Sequence, residues 1–188
     1  MTELADYSGE FKQDLNFEDF SKEFLVRLMR EWASAYLRVD ECWYNEVSQR
    51  AGIELASSCQ VSAWLKIAER SVPKIAKAAN IQVNDVVDFL KVSQLVPDGF
   101  LSGVFECEFD IKNRNHVIFT LTRCRTLDFL EKYSPERIVS VCHGIDIPVN
   151  ERYISVFLPD AKMPPLKLPD GPRKDPSETP CKWEIIGG

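Results

Sequence analysis

Three cysteines in the second half of the chain, Cys124, Cys142 and Cys181, are the residues best suited to chemistry. Three thiolates brought together suit Zn²⁺, with a fourth position filled by His143, Asp146, Cys107, a water or a substrate. The sequence contains no Cys-x-x-Cys or His-x-x-x-His pair. Local chelation is therefore missing, and convergence of the thiols has to come from tertiary folding. Nucleophilic catalysis is the second reading, with Cys124 or Cys142 as nucleophile. Cys124 stands between Arg123 and Arg125 just before an expected helix, and both cationic neighbours and a helix N-terminus lower a thiol pKa. A base for it would have to be His116 or His143, the only histidines, and His143 beside Gly144 also suits the capping of a helix C-terminus. Buried free cysteines commonly act as small hydrophobes. Apolar spacing makes core packing the preferred reading for Cys42, Cys59 and Cys107.

A second group lies in the first half, where Trp43, Tyr44 and Glu46 are flanked by Asp40, Glu41 and Glu54. Aromatic walls with one charged group are usual equipment of a small-molecule pocket, so Trp43, Tyr44 and Glu46 are candidate ligand-binding residues. The plain alternative is a solvated helix face with an aromatic anchor. Other signatures are missing: the sequence has no phosphate-cradling glycine pattern, no Gly-x-Ser-x-Gly elbow and no dinucleotide fingerprint, so no nucleotide cofactor is expected.

The elements that must position these residues follow from periodicity. A leader over residues 1–16 precedes a helical half over 17–96. There Phe17, Phe20, Phe24, Leu28, Trp32 and Ala35 recur at helical spacing after Asn16 as N-cap. Several further helices are expected from Asp40 onward, one of them broken or kinked at Pro73. The last covers Val83 to Leu95 and stops at the Pro97-Asp98-Gly99 turn. Beyond it the period becomes two: Phe105, Cys107, Phe109 and Ile111, then Val117, Phe119 and Leu121, predict a β-hairpin turning at Lys112-Asn113-Arg114-Asn115. Two short helices come next, one over about Arg125–Lys132 and one opened by Ser134 and Pro135 that places Cys142 in its last turn. A strand is expected over residues 153–158, then an extended proline-rich arm and a terminal strand with Cys181, Trp183 and Ile185 facing inward. The expected class is α+β in a single domain over 1–188. A helical half packs on a small antiparallel sheet with short helices and a proline-rich arm, and the cysteine site lies in the 100–188 half.

The chain of 188 residues is 45% hydrophobic with formal net charge −6. It can bury a substantial core, and it lacks the basic patch that nucleic-acid binding requires. No apolar run approaches membrane-spanning length, and the first residues have neither the basic start nor the apolar stretch of a signal peptide. The expectation is a cytoplasmic protein with a small-molecule ligand, no nucleic acid and no membrane association. No pattern sets its oligomeric state.

The stretch Asp40-Glu41-Cys42-Trp43-Tyr44-Asn45-Glu46-Val47, with Gly52-Ile53-Glu54-Leu55-Ala56 and Trp64, resembles the helical half of a group of bacterial and archaeal cytosolic proteins of unknown function. Arg123-Cys124, Val141-Cys142 with Asp146, and Cys181-Lys182-Trp183 look like that group's cysteine positions. A similar order of Cys, Cys-x-x-x-Asp and Cys-x-aromatic occurs in L-2-amino-thiazoline-4-carboxylic acid hydrolase-like proteins. A more distant likeness is to vinyl-reductase-type small-molecule-binding domains. The resemblance spans roughly residues 40–185. It implies an α+β fold with a ligand- or metal-binding site at the C-terminal cysteines. The expectation is thus a small-molecule- or metal-binding protein, the metal being zinc. The alternative is a cysteine-dependent hydrolase acting on a small cyclic amide- or amidine-like substrate.

Overall fold

Two long helices form the framework on which everything else is placed in the computed structural model, which describes residues 3–188. Helix α1 (Lys22–Ala51) begins where Ser21 Oγ accepts the Phe24 N–H at 3.2 Å. Asn16 instead precedes a short 3₁₀ turn, Phe17–Asp19, and its N–H donates to the Asp19 carboxylate at 2.8 Å. The expected N-cap is thus displaced to Ser21. The chain does not restart at Asp40 either: one helix runs unbroken to Ala51. Its inward face carries Ala33, Tyr36, Leu37 and Tyr44, whereas Trp32 and Trp43 are 52% and 41% exposed. The aromatic stripe used to read this segment is therefore not its core face. Residues 1–2 of the expected leader lie outside the described residues. Residues 3–16 contain no helix, and Leu4 is fastened by a parallel bridge to Phe20.

Gly52, at φ +90, reverses the chain into helix α2 (Ile53–Ala78), a conformation that costs glycine least. Of the break or kink expected at Pro73, the break does not occur: α2 continues through it. Packing of Val72 and Ala76 in the core offsets the one hydrogen bond that proline removes. Helix α3 (Val86–Leu95) is capped by Asp85, whose carboxylate accepts the Asp88 N–H at 2.9 Å. The following turn lies tight on α3. A Cβ at Gly99 would sit 2.1 Å from the Ser93 carbonyl oxygen, so glycine is required there.

The hairpin forms as the alternation predicts, with β1 (Phe105–Asn113) antiparallel to β2 (His116–Cys124). Val117, Phe119 and Leu121 are buried, and Phe105, Cys107 and Phe109 pack against the same core. Helix α4 (Arg125–Tyr133) follows at once. A 3₁₀ turn at Pro135–Arg137 then leads into α5 (Ile138–Cys142), with Cys142 in its last turn as expected.

The strand expected over 153–158 is instead the end of helix α6 (Asp146–Ser155) and the turn after it. Its β-branched and aromatic residues favour strands locally, but Ile154 is fully buried and Tyr153 nearly so in the core that α2 shares. Tertiary burial outweighs that weak preference. The proline-rich segment is extended and forms β3 (Pro165–Lys167), and the chain ends in β4 (Cys181–Ile186). The sheet order is β1-β2-β4-β3, every pairing antiparallel. Trp183 and Ile185 face the core from β4 as the alternation requires. Among the described residues no helix is long and apolar enough to cross a membrane. The fold class is α+β.

Candidate functional site

A cavity of about 900 Å³ lies between the helices and the inner face of the sheet, and Cys124, Cys142, Cys181 and Asp146 all line it. Each thiol reaches it from the end of a different element. Cys124 closes β2 and caps α4, its Sγ accepting the Leu127 N–H at 3.3 Å in the place a serine or aspartate usually holds. Cys142 ends α5. Cys181 opens β4, paired with Leu121 of β2, and its sulfur accepts the Trp183 indole N–H at 3.4 Å.

Burial dominates the chemistry of these groups. It pushes the Cys124 thiol up to about 12, with Asp146 adding to the rise. It likewise pushes Cys181 up to about 12, with Cys124 and Asp146 contributing. Cys142 is raised as well, first by burial and then by Asp146, Cys124 and Cys181. The mutual influence places the three sulfurs and the Asp146 carboxylate in one neighbourhood. The arginine setting that pointed to a reactive Cys124 is not realised. Arg123 turns to Glu106 at 3.5 Å and Asp128 at 3.6 Å, and Arg125 is exposed.

The carboxylates of the cavity were not read as a group from the sequence. Asp40, on the inward side of α1, accepts from the Gln60 amide at 2.6 Å and the Trp64 indole at 3.1 Å. Burial nonetheless holds it above the usual carboxylate range. Asp98, at the glycine-tightened turn, accepts from the Tyr153 hydroxyl at 3.2 Å through one oxygen, while Oδ1 is buried without a partner. It too is raised, chiefly by burial. Asp146, in the first turn of α6, is pushed up to about 7 by burial and then by the charge of Asp98. An acid one helical turn from Tyr36 and from Tyr44 was a visible sign that Asp40 faces inward. Asp98 carried no such sign, since aspartate before glycine is ordinary turn chemistry.

The other expected site residues are elsewhere. Tyr44 is buried under the Arg137 guanidinium, 3.6 Å from its ring centroid. Glu46 is exposed and pairs with Arg50 at 2.8 Å. Trp43 and Glu46 border a shallow apolar groove on the outer side of α1 together with Val39 and Cys42, and none of Trp43, Tyr44 and Glu46 lines the cavity. His143 reaches the proline-rich arm, 3.2 Å from the Pro169 carbonyl and 3.3 Å from Asp170. Cys107 packs against the core, its thiol pushed up to about 11 by burial. Among the described residues no three His, Cys, Asp or Glu side chains are grouped so as to hold a metal ion. The zinc expectation therefore draws no support from the geometry. Comparisons with protein families, characterised proteins and solved structures find no match to this chain.

Proposed function

We propose that this protein binds a small molecule in the cavity bordered by Cys124, Cys142, Cys181 and Asp146. The observation that carries this reading is a space of about 900 Å³, within the range that accommodates small organic ligands, lined by the half-buried Asp146 carboxyl with nothing nearby to lower its pKa. A chain folding for stability alone would fill such a space with apolar side chains, because voids and unpaired polar groups both destabilise. Trp64, Phe119 and Trp183 supply aromatic walls, and the thiols contribute soft, weakly polar surface.

The cysteine-hydrolase reading is supported less well. A nucleophilic thiol needs a lowered pKa or an adjacent base, and burial moves all three in the opposite direction. Of the two histidines, His143 is engaged with the arm and His116 with Glu184 of β4, 2.8 Å away.

Native mass spectrometry of gently purified protein tests the proposal. The expected result is an added mass that is released on denaturation and absent from a Cys142→Phe variant that fills the cavity. Protein without added mass, unmoved in melting temperature by neutral aromatic probes such as 2-phenylethanol, would remove the reading. Stoichiometric zinc lost on substituting the three cysteines would replace it with a metal site.

A further inference from the structure

The acids of the cavity differ in how their charge is balanced. Arg30, Arg38 and Arg125, which also line it, are solvent-exposed at its mouth. Arg137 is stacked on Tyr44 and acts on Asp40, which is further held by Gln60 and Trp64. Asp98 and Asp146 have no such compensation. No basic group influences either of them, and Asp98 Oδ1, the oxygen not bonded to Tyr153, is enclosed and unpartnered. Asp98 and Asp146 both line the cavity, Asp98 bonded to the Tyr153 phenol, and the charge of Asp98 acts on Asp146, so this part of the cavity is a region of negative potential. An enclosed carboxylate is tolerated when a cation meets it, and aromatic faces favour a cation or the alkyl stem behind it.

We infer that the ligand is a small organic cation, a primary amine with an apolar or aromatic body, whose ammonium group binds between Asp98 and Asp146 while its body lies along the aromatic wall. This rests on the reading of the cavity as a ligand site. The ammonium supplies the donors that Asp98 Oδ1 and the Asp146 carboxyl lack, and it removes the repulsion between them. A neutral isostere leaves both defects in place. An anion meets the carboxylates directly.

Calorimetric titration of the full chain with 2-phenylethylamine, 2-phenylethanol and phenylacetate, alongside tryptamine, tryptophol and indole-3-acetate, tests the charge preference. The expected result is binding of at least one amine about tenfold tighter than its alcohol, with the acids weakest. Asp98→Asn and Asp146→Asn should each abolish that preference while alcohol binding persists, which also reports an intact cavity. An alcohol or acid that binds as tightly as its amine overturns the cation assignment and leaves the ligand site standing. Absence of binding by all six probes overturns both.

Discussion

Burial acts on the three cavity thiols and on Asp146 in one direction, toward the protonated form. For the thiols the outcome is low reactivity. With iodoacetamide at neutral pH, the exposed Cys42 should be modified first, and Cys124, Cys142 and Cys181 should lag behind a model thiol by at least tenfold. Peptide mapping after timed labelling checks this, and early labelling at Cys124 would contradict it. For Asp146 the outcome is a pH-dependent stability. An unfolded aspartate titrates near 4, and the folded one is pushed up to about 7. Between those values the folded chain holds a proton that the unfolded chain has released. The contribution is fully present below about pH 4 and is lost as the pH rises through 7, a change of up to roughly 4 kcal/mol. Asp98 and Asp40, also raised, act with the same sign. Asp146→Asn should flatten this decline, measured by urea unfolding at intervals from about pH 4 to 8. Parallel wild-type and variant profiles would show that Asp146 is not the group responsible.

Among the elements, the proline-rich arm needs fastening, because prolines leave it few backbone donors. Arg173 provides a main attachment. Its guanidinium, 8% exposed, meets Glu131 at 2.7 Å and Asp128 at 2.6 Å, both on α4, and holds the Glu131 carboxyl below its usual range. Arg173→Ala should cost about 3 kcal/mol, because it leaves acids facing each other without their cation. Arg173→Lys should recover only part of that, since an ammonium cannot reproduce the bidentate contact. Denaturant titration of the two variants checks both, and equal stability of Arg173→Lys and wild type would mean that charge alone suffices. At this scale the hairpin and the inward face of β4 were legible because alternation maps directly onto the two faces of a strand. The segment 153–158 was not, because a short apolar run is compatible with either helix or strand until its neighbours are known. Here α2 supplies the surface that makes it helical.

Across the whole molecule, one cluster of buried side chains runs from Trp64 on α2 through Phe119 on β2 to Ile185 on β4, so the last strand completes a core begun near the middle of the chain. Trp183 and Ile185 are 2% and 0% exposed. A chain truncated after Leu158 should lose cooperative unfolding, since it uncovers β2 along its paired edge and opens that core. Circular dichroism during thermal denaturation checks this, and a sharp transition in the truncated chain would show that the earlier elements are self-sufficient. The sequence by itself determined the α+β class, the change of period at Pro97-Asp98-Gly99, the hairpin, and the placement of Cys124, Cys142 and Cys181 at element ends, all of which depend on neighbours close along the chain. Tertiary structure alone decided that the three thiols share a cavity with Asp40, Asp98 and Asp146 while Trp43, Tyr44, Glu46 and His143 do not line it. Those acids are separated by 58 and 48 residues in sequence, and they come to line one space only when α1, the turn after α3 and α6 pack around it, a proximity that no pattern of neighbours along the chain encodes.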